Sequence, residues 1–452
     1  MVAIIGAGVS GLITAYLLKK QGIKSIIFEK LHRAGGNAHT MDVHIPGFDK
    51  QRWADMGVND FNLTTYTNIK TLFKETGIIK YCKSLENSTT FYTPDGSMSY
   101  VINKDGHRDM PEHLWRQYQH FSTYAPKDVF GNIKKYGRYT VGDYIAEKEE
   151  YTEAFAQYNL YPRINSMYYM NDETPARMPI VAVLHYYKLQ EGFGDKKKHP
   201  HRVYIEGGIS RWIEAFVEYL NPRIIYDADV EVKASEQGPV VIHDNERRSF
   251  DAVFLSTHAN TCFNVVTEGL SSDQVNLLSS FRYFDSISVA HTYTPVMPVD
   301  STKRSTYNIL IHEDYAQLRP YTISYVCNRH QNDAANPEYN KFDTPHYYVS
   351  LNPYRRIPKS NILQQYDGSS AIAYMSHNTL DFRSMEQQKK IHFLQGENGL
   401  YFSGGWTVGA GLHEECYQAA QAAVKKYLSG QHSEDLFYDF DTGLAPKYLV
   451  EK

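Results

Sequence analysis

The apolar and polar positions at the start of the chain predict a strand, a tight turn, a helix and a second strand. Val2–Ile5 is a short apolar run, typical of a buried parallel strand. A glycine-rich turn and an apolar helical stretch follow, and Gly22 marks the end of that helix, where a residue free to adopt positive φ is favoured. Ser25–Glu29 reads as the second strand. This order is the βαβ opening of a doubly wound fold and predicts an α/β protein.

Farther along the chain the pattern changes. Between residues 60 and 200, amphipathic helical stretches such as 140–159 alternate with aromatic segments. Alternating apolar and polar positions between 285 and 395 predict an antiparallel sheet. A last strand, 399–403, runs into glycines ahead of a helix over 414–428. The pattern therefore predicts that the two ends of the chain share a domain, with other material inserted between them.

Composition narrows the class of partners. The chain has 452 residues, which favours two domains, and its formal net charge of −4 gives no general attraction to nucleic acid or anionic lipid. Its four cysteines lie far apart without a CxxC pair, so neither a disulfide framework nor a metal site is expected, and a cytoplasmic location fits. No stretch reaches about 18 uninterrupted apolar residues, so no transmembrane segment is predicted, and peripheral membrane contact stays open. The run Lys196–Lys198 is predicted to be a solvated loop.

The glycine-rich turn carries the strongest chemical signal. Gly6, Gly8 and Gly11 have the GxGxxG spacing, directly after a strand and before a helix. There, the first glycine allows the turn, the second lets backbone amides approach a diphosphate, and the third lets the helix pack on the strand. Glu29 ends the second strand, where a carboxylate can bind both hydroxyls of an adenosine ribose and argues against a 2′-phosphate. Together these residues predict dinucleotide binding.

A second glycine pair indicates which dinucleotide is bound. Gly35 and Gly36 follow the acid after a few residues, and Arg33 precedes them. A domain that binds only NAD does not need this pair. In glutathione-reductase-like flavoproteins, a Gly-Gly pair here lets the chain pass close to the FAD diphosphate. The motif therefore predicts FAD rather than NAD.

The order of the motifs resembles the amine oxidase and phytoene desaturase superfamily of flavoproteins. The resemblance extends from residue 2 to about 428. After the opening motifs, it is carried by Glu206-Gly207-Gly208, Val230, Ser256–Ala259 and Gly404-Gly405-Trp406. The chain is more narrowly similar to bacterial predicted NAD/FAD-binding proteins linked to modified fatty-acid metabolism. That likeness is carried by Asp55–Gly57, Phe61-Asn62, Asp251–His258, Leu351–Pro353, Tyr374–His377, Gly404–Thr407 and Gly411–Glu414.

The resemblance implies cofactor contacts at both ends of the chain. Gly404 and Gly405 would make a second diphosphate contact, and Val230 would lie against adenine through its backbone. Gly411 and Leu412 would open the last helix beneath the flavin. Backbone amides at a helix N-terminus can stabilise negative charge on the reduced ring.

The chain departs from the superfamily's pattern at two of these positions. Trp406 takes the place of the acidic residue that commonly follows the second diphosphate contact, which puts the acid's ribityl hydrogen bond in doubt. Asn37 stands where an arginine usually follows the Gly-Gly pair. Arg33 is predicted to supply that charge instead.

Three residues are candidates for catalysis. His413 and Glu414 place an imidazole and a carboxylate beside the inferred flavin, a pairing that suits a general base near neutral pH. Alternatively, His413 caps the helix and Glu414 favours its positive end. His377 is a second candidate base, or else a satisfied core or loop histidine. A group of tyrosines could line a substrate channel or belong to plain core (Tyr158, Tyr161, Tyr168, Tyr169, Tyr186, Tyr187).

The resemblance implies an FAD-dependent oxidoreductase that transfers hydride from a substrate C–H bond to flavin N5. The expected substrate is small and lipophilic, of the fatty-acyl type, and undergoes desaturation or isomerisation. A flavin amine or amino-acid oxidase is the alternative. A flavin-free lipid-binding module of the GDP-dissociation-inhibitor type is an alternative of another class. The predicted domains are an FAD-binding domain (1–60, 201–285, 396–430), a discontinuous mixed sheet and helix substrate domain (61–200, 286–395) and a tail (431–452).

Overall fold

A computed structural model of the chain describes residues 1–167, 174–194, 200–315, 320–333 and 344–430. Its strands are β1 (Val2–Ile5), β2 (Ser25–Phe28), β3 (Thr40–Ile45), β4 (Phe48–Asp55), β5 (Phe61–Asn62), β6 (Cys82–Ser84), β7 (Thr89–Tyr92), β8 (Ser99–Ile102), β9 (Arg202–Ile205), β10 (Arg223–Ile225), β11 (Glu231–Lys233), β12 (Val240–His243), β13 (Glu246–Ser249), β14 (Val253–Leu255), β15 (Val266–Glu268), β16 (Tyr283–His291), β17 (Tyr307–Leu310), β18 (Ile323–Val326), β19 (Tyr348–Leu351), β20 (Gln364–Gln365), β21 (Ile372–Asn378) and β22 (Leu400–Phe402).

The helices are α1 (Val9–Lys20), α2 (Thr67–Glu75), α3 (Glu112–Gly131), α4 (Ile133–Tyr136), α5 (Val141–Glu147), α6 (Glu153–Phe155), α7 (Tyr161–Met167), α8 (Ile180–Glu191), α9 (Ser210–Leu220), α10 (Ala259–Val265), α11 (Ser272–Leu278), α12 (Cys327–His330), α13 (Phe382–Gln388), α14 (Ile391–Leu394) and α15 (His413–Ser429). Within the described ranges, none of these helices has the length and apolar character needed to span a membrane. The predictions for Lys196–Lys198, Tyr168, Tyr169 and the tail 431–452 fall outside the described residues.

A parallel sheet of five strands, in the order β10-β2-β1-β14-β22, forms the centre of the Rossmann-like part. Its strands pair in register, so that Ile4 lies between Ile27 and Phe254. One face packs against α1 and α15, and the other packs against α10 and α11. Because helices cover both faces, β1 and β14 are buried along their whole length. The doubly wound α/β fold predicted from the opening residues is confirmed.

A second sheet has seven strands in the order β21-β16-β19-β18-β17-β7-β8. Its neighbours are antiparallel except for β17 and β7, which run parallel. The antiparallel strands predicted between 285 and 395 are present, but β7 and β8 come from a region whose pattern predicted helices. All four residues of β7 are buried, so its sequence lacks the alternation of a half-exposed strand.

Helices α3, α5, α7 and α8 contribute to one large apolar core with this sheet. The helix predicted over 140–159 is interrupted, because α5 ends at Glu147 and α6 begins at Glu153. The side chains of Thr140 and Thr152 each accept a hydrogen bond from a first-turn amide, which favours two separate helix starts. The amphipathic pattern is therefore correct, while the continuity of the helix is wrong.

A buried ion pair joins β9 to the seven-stranded sheet. The guanidinium of Arg202 donates to both carboxylate oxygens of Asp60, with Nε–Oδ1 at 3.1 Å and Nη2–Oδ2 at 2.5 Å. The Tyr307 hydroxyl of β17 donates to the same carboxylate at 2.5 Å. Arg202 Nη1 also lies 3.2 Å from Glu191 Oε1. Since the side chains of Arg202 and Asp60 are each only 5% exposed, this network lies almost entirely away from solvent.

Candidate functional site

The first glycine loop leaves an open face at the start of α1. A Cβ added at Gly11 would lie 1.9 Å from the carbonyl oxygen of Gly6, so only glycine lets the helix approach the turn this closely. A Cβ added at Gly8, the residue that precedes α1, would meet no atom within 4 Å. The backbone of Gly8 is therefore not covered by other residues at the point where α1 begins. Such an uncovered helix start is suited to binding a diphosphate.

The Gly-Gly pair lies against this loop. The amide of Gly35 donates to the carbonyl of Ala7 at 2.9 Å, and a Cβ on Gly36 would lie 3.4 Å from the Cα of Gly8. Gly35 has a φ of 105°, a conformation that disfavours other residues. Arg33 Nη1 donates to the Gly36 carbonyl at 3.0 Å, and burial lowers the pKa of this guanidinium. Arg33 therefore ties its own side chain to the backbone of the Gly-Gly pair.

Glu29 is buried at the end of β2, beside the first glycine loop. Its Oε2 accepts a hydrogen bond from the amide of Ala7 at 2.6 Å, and its Oε1 accepts from the amide of Leu31 at 2.9 Å. Each carboxylate oxygen has two acceptor sites, so each retains capacity for one more donor. The carboxylate is thus fixed beside the first glycine loop, with acceptor capacity left on both oxygens.

The two distant glycine segments meet at Thr257, which follows β14. A Cβ at Gly6 would lie 2.8 Å from the Thr257 methyl group, and a Cβ at Gly404 would lie 2.4 Å from the Thr257 carbonyl oxygen. Farther along, a Cβ at Gly405 would lie 3.2 Å from the Cα of Gly411. Residues 6–11 and 404–411 therefore lie close together around Thr257, at the carboxyl ends of the parallel strands, and the surface that they form together is called the groove.

Glu415 organises the turn before α15, and the sequence reasoning missed it. Its Oε2 accepts hydrogen bonds from the amides of Ala410 and Leu412, at 3.0 and 2.8 Å. Its Oε1 lies 3.4 Å from His185 Nε2 on α8. Glu415 is the third residue of the helix, the position of the acid in a capping box, and this spacing could have identified it.

Trp406, which stands where the resemblance led us to expect an acidic residue, points into the core rather than towards the groove. Its Nε1 donates to the Thr257 carbonyl at 2.9 Å, and its ring centroid lies 4.7 Å from that of Phe281. Trp406 is 2% exposed and belongs to the core on one face of the parallel sheet. Val230 packs partly buried against the same core, just before β11, and its adenine contact remains a prediction.

The imidazole–carboxylate pair predicted from His413 and Glu414 does not form. Glu414 faces α2, where its oxygens accept from the amides of Asn68 and Ile69 at 3.0 and 3.1 Å. The His413 ring packs edge-on against Phe61, with centroids 5.0 Å apart, and its Nε2 has no hydrogen-bond partner among the described residues. Adjacent residues of a helix project in different directions, which separates the two groups. Burial lowers the pKa of His413 to about 4, so its ring is neutral at pH 7.

His377 lies in β21, beside the Gly-Gly loop. The carbonyl of its neighbour Ser376 accepts a hydrogen bond from Asn37 Nδ2 at 3.4 Å. Its ring centroid lies 6.1 Å from that of Phe284 on the paired strand β16. Burial and the nearby His258 lower the pKa of His377 to about 4. Of the three catalytic candidates, His377 is therefore the one that lies in the seven-stranded sheet, next to a residue that contacts Asn37.

Asp55 is a buried carboxyl that joins the groove to α9. Its Oδ1 accepts from the Thr40 hydroxyl at 2.6 Å and from the amide of Ile209 at 2.9 Å. A Cβ at Gly208 would lie 2.9 Å from the same oxygen, which explains a glycine ahead of the helix. Burial raises the pKa of Asp55 to about 7.

We expect Asp55 to make the stability of the protein fall between pH 5 and 8. The folded protein keeps a proton on Asp55 that the unfolded chain loses above its ordinary pKa, so the stabilisation is complete at low pH and is lost as pH rises towards 7. The expected loss is about 2–3 kcal/mol. Asp55→Asn keeps the accepting oxygen and should flatten this slope in urea unfolding at pH 5 and 8. Asp49→Asn, at an exposed position of the same strand, should leave the slope unchanged. Parallel slopes for wild type and Asp55→Asn would contradict this assignment.

Comparison with known proteins identifies the fold. A family model described as an NAD(P)-binding Rossmann-like domain matches residues 4–76. Putrescine oxidase bound to putrescine has a TM-score of 0.65 at 14% identity, over 95% of this chain and 99% of that chain. Cyclohexylamine oxidase from Brevibacterium oxydans has a TM-score of 0.64 at 13% identity, over 94% of this chain and 97% of that chain. A CLA-producing fatty acid isomerase from P. acnes has a TM-score of 0.62 at 14% identity, over 94% of this chain and 100% of that chain.

These likenesses define a class of protein. The chain has a Rossmann-like nucleotide-binding domain within the fold shared by these oxidases and the isomerase. The fold expected from the resemblance is thus confirmed. No curated protein matches the sequence.

Proposed function

We propose that the protein is an FAD-dependent oxidoreductase. The observation that carries this proposal is the convergence of Gly6 and Gly404 on Thr257, which joins two distant glycine segments around one groove. A groove at the carboxyl ends of parallel strands is the common binding position in doubly wound folds. Two diphosphate-type contacts, one from each segment, suit an extended dinucleotide such as FAD. The uncovered backbone of Gly8 suits its diphosphate.

The residues around the groove have distinct roles in holding the cofactor. The amides at the start of α1 would bind the diphosphate, and Glu29 would accept hydrogen bonds from the ribose hydroxyls. Gly404 and Gly405 would let the backbone approach from the other side. The N-terminus of α15, held by Glu415, would stabilise negative charge on the flavin.

FAD, when bound, would accept a hydride from a substrate C–H bond. The chain itself would orient the substrate, exclude water and hold a proton where the reaction needs one. His377 is the candidate for the last role, since β21 lies against the Gly-Gly loop and the ring is neutral at pH 7. His413 and Glu414 would have an indirect role. Their contacts with Phe61 and α2 would fix the position of the start of α15.

A lipophilic, fatty-acyl-like substrate suits the surroundings of the groove. The apolar core between the seven-stranded sheet and its helices extends to Ala410 and Leu412, at the turn before α15. The fold shared with a fatty acid isomerase supports this substrate class. The fold shared with putrescine oxidase and cyclohexylamine oxidase supports the alternative substrate class, an amine or amino acid. A flavin-free lipid-binding module would have no need of the open face at Gly8. The four cysteines are free, which supports a cytoplasmic location.

The proposed function predicts that protein purified under mild conditions is yellow. Its visible spectrum should show bound flavin, or should acquire it when FAD is added to colourless protein. Under anaerobic conditions, a monounsaturated fatty acid should perturb or bleach the flavin bands, and putrescine should not. Protein that neither carries nor takes up FAD would favour the lipid-binding module. Bleaching by putrescine alone would favour the amine oxidase.

A further inference from the structure

A cavity of about 1010 Å³ lies among α5, α6, the start of α7 and residues 314–315. Its wall also includes Arg282, the residue before β16. Small-molecule sites in proteins commonly measure about 300–1000 Å³, so this cavity is large enough for an organic ligand. Its lining residues are separate from the glycine segments and from Glu29. The cavity is therefore a different place from the proposed cofactor site.

The inner wall of the cavity is apolar and aromatic. Its buried side chains are at most 8% exposed and belong to the large core cluster (Ile145, Tyr151, Ala156, Tyr315). Tyr161 packs against this cluster, with its ring centroid 5.9 Å from that of Tyr315. Of the tyrosines predicted to line a channel or plain core, Tyr161 lines the cavity, whereas Tyr186 and Tyr187 are core. Such a wall gains free energy by removing an apolar chain from water.

The rim of the cavity is charged and mostly exposed (Lys148, Glu149, Glu153, Arg177, Arg282, Asp314). Lys148 Nζ lies 2.8 Å from Asp128 Oδ2, and Arg282 Nη2 lies 3.1 Å from Asp381 Oδ2. Exposed and paired charges interact only weakly with a ligand, because water screens them. The rim therefore offers a hydrated place for a polar head group, and the apolar inner wall provides the selectivity.

A π-helical turn, residues 156–160, forms part of the wall. Gln157 Nε2 donates to the carbonyls of His312 and Glu313, at 2.8 and 3.1 Å. The Tyr315 hydroxyl accepts from the amide of His312 at 3.2 Å. These bonds join the turn to residues 314–315 and keep two walls of the cavity apart. π-Helical turns are rare and are frequent at functional sites.

Arg282 connects the cavity with the candidate base. Its carbonyl accepts from the amide of Thr379 at 2.9 Å, which extends the pairing of β16 with β21 by one residue. Residues two apart in an extended chain share a face, so Arg282 and Phe284 lie on one face of the sheet. Phe284 pairs with His377, and their ring centroids are 6.1 Å apart. The cavity therefore reaches the face of the sheet that carries His377.

We infer that this cavity is the entry site of a long-chain acyl substrate, whose chain lies against Tyr151, Tyr161 and Tyr315 while its polar head stays at the charged rim. The inference rests on the proposed function and deepens it, because it assigns the lipophilic substrate to a particular cavity. The chain end would extend along the face that carries Phe284 and His377.

The shape of this charge distribution favours a fatty acid over a diamine. A fatty acid is charged at one end only, so its chain can enter the apolar wall while the carboxylate remains hydrated. Putrescine is charged at both ends, and burying its chain would place one ammonium group among apolar side chains, which is costly. We therefore expect the cavity to bind oleate and not putrescine.

The test uses holoprotein and the substitution Ala146→Trp, which fills the cavity from an exposed position of α5. Oleate binding is followed by perturbation of the flavin spectrum. Ala146→Trp should weaken it roughly 10-fold, as expected when the chain loses part of its apolar contact, and FAD occupancy should not change. Ala176→Trp, at another position of the wall, should act in the same direction. Glu218→Trp, at an exposed position of α9 outside the cavity, is the control and should bind oleate like wild type.

Photolabelling locates the ligand without relying on the flavin or on the variants. A palmitate that carries a diazirine should label residues between 145 and 161 in wild type, and excess oleate should prevent the labelling. Labelling elsewhere, no saturable oleate binding, or unchanged binding in folded Ala146→Trp and Ala176→Trp would overturn the inference. If neither variant folds, the labelled position decides. Labelling of the cavity in protein that never takes up FAD would support the inference and reject the proposed function.

Discussion

Gly11→Ala should abolish FAD binding and lower the stability of the protein, whereas Gly8→Ala should remove cofactor affinity and leave the fold intact. At Gly11 the new methyl group would lie 1.9 Å from the Gly6 carbonyl oxygen, so α1 must move away from the strand. At Gly8 the methyl group would project from the uncovered backbone at the start of α1, where the diphosphate is proposed to lie. Flavin absorbance measures FAD binding, and thermal unfolding of the apoprotein measures stability.

The two glycine variants therefore separate structure from binding. Gly8→Ala should weaken FAD binding at least 10-fold with a melting temperature close to that of the wild-type apoprotein. Gly131→Ala is a suitable control, because a Cβ at this helix position also meets nothing within 4 Å but lies far from both glycine segments in the chain. Full FAD occupancy in Gly8→Ala would place the diphosphate elsewhere and would remove the main support for the proposed cofactor.

Arg202→Met should lower the free energy of unfolding by about 3–5 kcal/mol, because it leaves the Asp60 carboxylate buried without its partner. Urea unfolding of the apoprotein measures the effect. The double variant Arg202→Met with Asp60→Asn should lose less than the sum of the single losses, since the unpaired charge is then removed as well.

Arg163→Met is the matched comparison for this prediction. This arginine is similarly buried, but no described side chain accepts a hydrogen bond from it, and the nearby Glu191 keeps its contact with Arg202. Its replacement by an apolar side chain of similar length should leave the apoprotein at least as stable as wild type. Similar large losses for Arg202→Met and Arg163→Met would contradict this prediction, since both arginines would then be structural.

The local motifs were readable from the sequence because their requirements span only a few residues. The GxGxxG turn needs glycine at Gly6 and Gly11 for contacts within the same strand–turn–helix unit. Glu29 lies at a fixed offset on the next strand, and its bond to the amide of Ala7 follows from parallel pairing of β1 and β2. For the same reason, the parallel fold itself could be predicted.

The catalytic candidates show where this kind of reasoning ends. Adjacency in the sequence suggested a pair between His413 and Glu414, but the helix directs one towards Phe61 and the other towards α2. Glu415, the next residue, fixes the turn before α15 but was not among the predicted site residues. Which side of α15 faces the groove depends on how the helix packs against its neighbours. That packing cannot be predicted from the spacing of residues within the helix.

A Rossmann-like fold and a glycine-based dinucleotide motif can be predicted from the amino-acid order alone, because steric limits on the backbone act over a few neighbouring residues. The sequence also predicted that the two ends of the chain come together, but the contacts that join residues 404–411 to residues 6–11 through Thr257 are visible only in the folded protein, since they depend on the order of strands in a sheet. The tertiary structure also separates Arg202 from Arg163, two arginines whose neighbouring residues in the sequence do not predict different surroundings. Arg202 forms two hydrogen bonds with Asp60, 142 residues away, whereas Arg163 packs against the rings of Phe91 and Tyr118, so their surroundings follow from which distant segments fold against them.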